Sequence, residues 1–252
     1  MSQHDELSRV YGRHACLAVL QQRPQSVRAI WLLDGIEAAA SPLIDAASRS
    51  GVVASRVRAD ELDRLCGDGV HQGVCLDVVP RAAEGEDALW RHLEKTAGVP
   101  LVLVLDGVQD PRNLGACIRT AEAAGCLAVV TPRDKSAPLS AAARKAAVGA
   151  AERVPLVRVG NLARTLDTLA DHGLWRVGAA GEATLDHTAV DFNAPTALVM
   201  GAEGRGLRRL TRERCDLLTR IPIVGQAGSL NVSVAAGVLL FEAARQRDTS
   251  TG

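Results

Sequence analysis

Apolar and polar positions along the chain alternate between helical and strand periods, and the switching predicts the elements. In the first 79 residues a helix is expected over Gly12–Gln22, a strand over Val27–Leu33 and a helix around Leu43–Arg49. A strand at Val52–Val57, a short helix near Ala59–Cys66 and a last strand at Val74–Val79 complete a small α/β module. The stretch Pro80–Gly98 opens PRAAEGED, mixes charge with small residues and shows only a short helical pattern at Leu89–Leu93, so it reads as a linker.

From Pro100 the alternation resumes. Leu101–Leu105 is a continuous apolar run, the pattern of a strand buried on both faces of a parallel sheet. Further strands are expected at Leu127–Thr131, Val154–Val159, Trp175–Ala179, Thr196–Met200 and Leu217–Ile221. Helices are expected from near Asn113, over Ser140–Val148, Leu162–His172 and Asn231–Arg245, with Asp248–Gly252 as a frayed tail. The fold class is α/β, with a mostly parallel C-terminal sheet and a small N-terminal α/β domain. The expected boundaries are 1–79, a linker at 80–98, and 99–252.

Composition changes this picture little. The 252 residues are 47% hydrophobic and 23% charged, an ordinary globular balance. With no apolar run of membrane-spanning length and no leader pattern, a cytoplasmic protein is the expectation. Six scattered cysteines offer neither zinc-ligand spacing nor a disulfide framework, and are expected as buried free thiols; no metal is expected. Only six aromatic residues are present, too few for a base-stacking platform.

Net charge is zero, yet residues 98–252 carry 18 basic and 15 acidic groups, against 8 and 10 in residues 1–77. Arg205, Arg208, Arg209, Arg212 and Arg214 fall within ten residues. Such a run serves equally well as a phosphate-neutralising patch or as a solvated face.

Ligands of open parallel sheets bind at loops leaving the carboxyl ends of strands, and three such loops carry candidate chemistry. The first is Asp106–Arg119, DGVQDPRNLGACIR, with Asn113 where a helix N-cap is expected. Plain capping explains it as well as chemistry does. The second is Gly201–Gly206, GAEGRG, whose three glycines allow close backbone approach to a ligand or simply a tight turn. Its G-x-x-G-x-G order and its position near the C-terminus do not fit a dinucleotide fingerprint, so a dinucleotide oxidoreductase is a poor alternative. The third is Ile221–Ala236, IPIVGQAGSLNVSVAA, where Pro222 stiffens a strand exit and Ser229 and Asn231 precede a helix opening with small residues.

Together these segments, DGVQDPRNLGACIRTAEAAG, LVMGAEGRGL and IPIVGQAGSLNVSVAAGVLLFEA, resemble the three motifs of the SpoU/TrmH class of trefoil-knot RNA methyltransferases. YGRHACLAVL and VHQGVCLDV resemble the N-terminal substrate-binding domain of those members that methylate a guanosine ribose of 23S ribosomal RNA, in its peptidyl-transferase region. The likeness runs from about Tyr11 to Arg247. It implies a deep trefoil knot in the C-terminal domain, a homodimer formed through it, ribosomal RNA as partner and S-adenosylmethionine as cofactor. By the same resemblance, backbone groups at Gly201, Ile221 and Leu230 hold the cofactor, with Gly204, Glu203, Ser229 and Asn231 around it. Gly228 is a departure, standing where relatives often carry serine.

The resemblance also places Arg119 nearest the attacking ribose oxygen with Asn113 beside it. A guanidinium stays protonated far above neutral pH, so a role as base is awkward. Either a neighbouring charge or desolvation lowers its pKa, or it remains charged and stabilises the developing alkoxide, which is the more economical reading. Glu203 is expected to anchor the cofactor or the ribose, to hold Arg119, or to stabilise its own loop. Gly12–His14 and His71–Gly73 are expected to contact RNA. The alternatives are a tRNA ribose methyltransferase on the same fold and a non-catalytic RNA-binding assembly factor.

Overall fold

Five consecutive apolar residues followed by Asp106 make Leu101–Asp106 a strand that must be covered on both faces, and every one of its residues is buried. A computed structural model of the chain describes residues 7–67 and 69–249, and divides into two compact units, Met1–Arg81 with Val148–Arg153 and Ala82–Ala147 with Val154–Gly252.

The first unit runs β1 (Ser8–Tyr11), α1 (Arg13–Gln22), β2 (Val27–Leu33), α2 (Glu37–Ser50), β3 (Ala54–Val57), α3 (Ala59–Cys66) and β4 (Val74–Val78). Its sheet has the order β1-β4-β2-β3 and is mixed: β1 and β2 flank β4 antiparallel, and β2 pairs with β3 in parallel. Period-2 patterning fixes the buried face, with Ile30 and Leu32 at 0–1% exposure alongside Leu76 and Val78. Strand β1 was absent from the sequence expectation, because SRVY is too short and polar to signal itself. Helix α2 starts six residues earlier than expected and carries Pro42 inside it, where proline usually marks a boundary.

The second unit opens with α4 (Glu86–Lys95), β5 (Leu101–Asp106), α5 (Pro111–Ala123), β6 (Ala128–Pro132), α6 (Ala141–Ala147) and β7 (Leu156–Val159). It continues with α7 (Leu162–Asp171), β8 (Trp175–Ala179), β9 (Leu185–Asp186), β10 (Thr196–Gly201), α8 (Arg209–Arg212), β11 (Leu217–Arg220) and α9 (Val232–Thr249). The sheet order is β7-β6-β5-β10-β8-β11-β9, and every pairing is parallel, as the patterning anticipates.

One face packs Val102, Val104, Val130 and Val199 against Leu89 and Leu93 of α4 and Leu162, Leu166 and Leu169 of α7. Helix α4 occupies much of the stretch expected as a linker, and its alternating charges hide an apolar stripe that joins this core. Helix α9 also runs further than expected, to Thr249, while residues 250–252 lie outside the described residues.

On α5, Gly115 permits close contact with α6: a Cβ there would sit 2.2 Å from the Ala143 carbonyl oxygen. All six cysteines are free, five of them buried. Burial pushes the Cys117, Cys126 and Cys215 thiols up to about 12, so none is a nucleophile at neutral pH.

Candidate active site

Parallel register brings the carboxyl ends of the central strands level, with Gly201 opposite Asp106. The loops that leave them therefore meet on one edge of the sheet. Helix α5 follows the first loop. Its cap is Asp110, which accepts from the Arg112 amide at 2.7 Å, with Pro111 at the first helical position. This corrects the expectation that Asn113 caps the helix. Proline at 111 lets the helix start two residues earlier, and the Asn113 side chain is free for another partner.

That partner is Asn231, 118 residues away, whose Nδ2 donates to Asn113 Oδ1 at 3.0 Å and to Glu203 Oε1 at 2.6 Å. Asn231 in turn caps α9, its Oδ1 accepting from the Ser233 amide at 2.9 Å and the Ser233 hydroxyl at 2.6 Å. Glu203 Oε1 also accepts from the Val232 amide at 3.4 Å. A carboxylate at a helix N-terminus is favoured by the helix dipole. One polar junction thus ties all three motif segments together. Of the three roles expected for Glu203, the one seen is to hold its own loop against the start of α9; no ion pair joins it to Arg119.

Beside this junction lies a cleft of about 520 Å³ lined by Gly201, Glu203, Gly204, Ile221, Ser229 and Leu230, among others. All the residues expected to bind a cofactor line it. The loop Gly201–Gly206 is closed on itself by paired hydrogen bonds between Ala202 and Gly206, at 2.9 and 3.2 Å, with Gly204 and Gly206 at positive φ. The approach is so tight that a Cβ on Gly201 would fall 2.1 Å from the Gly206 carbonyl carbon. Sequence reasoning missed Ala179–Glu182 and Met200 on the cleft wall. The signal was available, since a parallel strand at Trp175–Ala179 must put its exit loop on the same sheet edge.

Arg119 stands apart. It is exposed on α5 and makes no hydrogen bond or ion pair among the described residues. Within one chain it is not drawn into the Asn113–Asn231–Glu203 junction.

The arginine-dense run is largely neutralised. Arg208 pairs with the buried Asp106, Arg212 with Glu182, Arg209 with Glu213 at 2.6 Å and Arg214 with Asp167 at 2.9 Å. Arg205 alone of the five has no partner among the described residues. Among the described residues no cluster of His, Cys, Asp and Glu could hold a metal ion, and no helix is long and apolar enough to cross a membrane.

In the first unit, the two sequence-distant segments expected to contact RNA are brought together. The Arg13 amide donates to Gln72 Oε1 at 3.0 Å, Arg13 Nε to the Gln72 carbonyl at 3.1 Å, and the Gly12 amide to the Val74 carbonyl at 3.3 Å. His71 Nδ1 accepts from the Gly73 amide at 2.9 Å.

Comparison with known proteins adds to this geometry. The family model described as the SpoU rRNA methylase family matches residues 100–241, and one described as RNA 2′-O ribose methyltransferase substrate binding matches residues 9–83. The chain belongs to the SpoU rRNA methylase family.

A relative from Pseudomonas syringae pv. tomato, named 23S rRNA (guanosine-2′-O-)-methyltransferase RlmB, is 53% identical over 96% of this chain and 97% of its own. The structure of the SpoU methyltransferase AviRb from Streptomyces viridochromogenes in complex with the cofactor AdoMet is similar at a TM-score of 0.70, with 25% identity over 96% of this chain and 90% of that one. An A. aeolicus TrmH/SpoU tRNA modifying enzyme, 30% identical at a TM-score of 0.56, covers only 66% of this chain and 85% of its own. The fold is that of the SpoU/TrmH methyltransferases, an α/β domain on a parallel sheet with a small N-terminal domain.

Proposed function

We propose that this chain transfers the methyl group of S-adenosylmethionine to the 2′-hydroxyl of a guanosine in 23S ribosomal RNA. The observation that carries the reading is the junction of Asn113, Asn231 and Glu203 at the mouth of a glycine-lined cleft, in a chain of this family. The cleft suits a nucleoside sulfonium: its apolar lining includes Met200, Ile221 and Leu230, and Gly204, Gly206 and Gly228 leave open space above it. Gly201, Gly204, Ile221, Ser229 and Leu230 would hold the cofactor. When bound it supplies an electrophilic methyl on sulfur, and the protein's task is to orient the partners and ease loss of a proton from a weakly acidic alcohol.

Asn231 has both amide donors and both acceptor positions engaged, by Asn113, Glu203 and Ser233, so it braces the mouth of the cleft, and Ser229 lies on the cleft wall with its hydroxyl available to the ligands. Arg119 meets the developing alkoxide as a charged group, with water or a substrate phosphate taking the proton. In this reading Arg119 completes the site in a homodimer. Support comes from α9, where Val234 and Phe241 are each 52% exposed and Val238 is 36% exposed, a stripe on the helix that packs against α5. An apolar stripe of this kind marks an interface.

The deep trefoil knot belongs to the same reading, supported by the return of Ser229 and Leu230 to the cleft formed by the preceding loops. Residues 1–79 act as the RNA substrate-binding domain, through Gly12–His14 and His71–Gly73, and residues 99–252 as the methyltransferase domain of a cytoplasmic enzyme. The segment matched by the substrate-binding family model, which the A. aeolicus tRNA enzyme's partial coverage does not require, favours ribosomal over transfer RNA.

The test is to incubate the chain with labelled S-adenosylmethionine and either unmodified 23S rRNA or tRNA, then map the methylated ribose. A guanosine 2′-O-methyl in 23S rRNA is the expected product; label in tRNA alone, or in neither RNA, overturns the reading.

A further inference from the structure

A second cleft, of about 590 Å³, adjoins the first along the segment that follows β10. Residues Met200–Leu207 face the first cleft and Arg208–Thr211 face the second, so the two flank one stretch of chain. The second cleft is otherwise walled by Pro132, Asp134 and Lys135 after β6, and by Gly160–Ala163 at the start of α7. The loops after β5, β6 and β10 adjoin at Gly107, where a Cβ would lie 3.7 Å from the Lys135 carbonyl oxygen and 3.9 Å from Ala202 Cβ. The Ala137 amide donates to the Val108 carbonyl at 2.8 Å, which joins the first two of these loops directly. Arg158 reaches under the loop after β6 and donates to the Arg133 carbonyl.

Four exposed cations sit on this edge, Arg112, Arg133, Lys135 and Arg205, and the side chains of all four lack a partner among the described residues. The carboxylates beside them are mostly engaged: Asp106 by Arg208, Glu203 by Asn231, and Asp110 by the Arg112 amide. Asp134 is the remaining one. This is the reverse of the arginine-dense run, where charge is abundant but already paired. Phosphates are drawn to cations that keep no carboxylate partner, because no ion pair must be broken to bind them.

We infer that Arg205 and Lys135, with Arg133 and Arg112 flanking them, form a phosphate-contacting track that lays the substrate RNA strand from the mouth of the first cleft into the second. The second cleft receives a nucleotide neighbouring the one methylated. This rests on the RNA methyltransferase reading of the first cleft, and extends it to Arg112 and Arg205 within the first two motif segments and to Arg133 and Lys135 outside all three.

The experiment uses the full chain and an unmodified 23S rRNA transcript, with RNA affinity measured across a salt series. Lys135→Ala and Arg205→Ala should each weaken binding severalfold and reduce the slope of log affinity against log salt by about 0.7, the value per phosphate contact for single strands. The double variant should lose about twice that slope. In turnover, the RNA KM should rise by more than kcat falls. Arg214→Ala and Arg245→Ala, which remove cations paired with Asp167 and Glu242 away from both clefts, should leave the slope nearly unchanged. Thermal melts of each variant exclude misfolding, and Lys135→Ala should bind cofactor as the wild type does.

Slopes that do not differ from the paired-cation controls overturn the track. So does an Arg205→Ala variant that loses cofactor affinity but keeps RNA affinity, which would make Arg205 a cofactor contact. A wild-type chain that binds cofactor yet neither binds nor methylates RNA removes the underlying reading instead, and shows as a failure of the wild type, not of the variants.

Discussion

Glycine plays opposite parts at two places, beside the paired segments of the first unit and around the cleft of the second. Around the paired segments of the first unit it fills space that is already taken: a Cβ on Gly69 would lie 2.3 Å from the Tyr11 ring, and one on Gly73 would lie 1.9 Å from Ile36 Cδ1. Around the cleft of the second unit, Gly204, Gly206 and Gly228 have no atom within 4 Å of a Cβ position. Glycine there keeps space open. The contrast separates two ways of meeting a partner. The first unit offers a preformed, tightly packed surface, suited to reading shape. The second offers an open cradle with Gly204, Gly206 and Gly228 on its lining, suited to enclosing a small molecule. Gly201 is the exception that joins the two roles, tight against Gly206 and yet at the root of the open loop.

The largest effect is expected at that exception. Gly201→Ala would place its Cβ 2.1 Å and 2.4 Å from backbone atoms of Gly206, and 2.4 Å from the Leu207 amide nitrogen, none of which can swing aside. The loop must open, and its Ala202–Gly206 pairing is lost with it. Cofactor affinity measured by calorimetry should fall more than about 100-fold, roughly 2.7 kcal/mol. A variant that binds as well as the wild type would show that the closed loop is not what shapes the cleft.

Next in size is Arg119→Lys, which asks whether the chemistry needs a group outside the glycine loops altogether. Lysine keeps a charge but not the planar fork. A loss of about tenfold to a hundredfold in single-turnover rate, unchanged across pH, is expected of a charged stabiliser. A rate profile whose pKa moves down with the new side chain would instead make the residue the base.

How much of this was legible in the sequence follows the same division. The parallel sheet announced itself because LVLVL and ALVM are apolar without interruption and short, the pattern of a strand covered on both faces. Strand β1 did not, since an edge strand of four residues gains its place from pairing with β4. The cleft residues were legible as a set because three loops on parallel strands must share an edge.

Their wiring was not. Nothing in the sequence says that Asn231 would reach Asn113 across 118 residues, or that Asp110 would take over capping. The fate of the arginine run was equally hidden, because its carboxylate partners Asp106, Asp167 and Glu182 come from a distant strand, helix and loop. Charge density is written in the sequence, whereas pairing is settled only by the fold.

A smaller effect is expected from Gly73→Ala. The clashing atom is the far end of the Ile36 side chain, which can rotate, so the cost lies mainly in the backbone. Gly73 sits at φ 82, a left-handed conformation that costs an alanine about 1–2 kcal/mol. The melting temperature should drop by a few degrees. RNA affinity should weaken while cofactor affinity holds. Loss of cofactor affinity as well would mean that the two units do not divide the work as their glycines suggest.

The smallest effect is expected from Gly228→Ser, and it tests the open half of the contrast most directly. Gly228 lines the cleft, has nothing within 4 Å of a Cβ, and is not among the glycines at positive φ. Serine therefore meets neither a steric nor a conformational penalty in the chain itself. Replacing glycine also narrows the unfolded ensemble, a gain of about 0.4–1 kcal/mol where the native backbone suits the new residue. Melting temperature should stay level or rise slightly, and cofactor affinity should change by less than about twofold. A tenfold loss of affinity with an unaltered melt would mean that the space above Gly228 is filled by the ligand and that glycine is required for access. That would turn an open position into a contact, and move Gly228 from the permissive glycines to the side of Gly201.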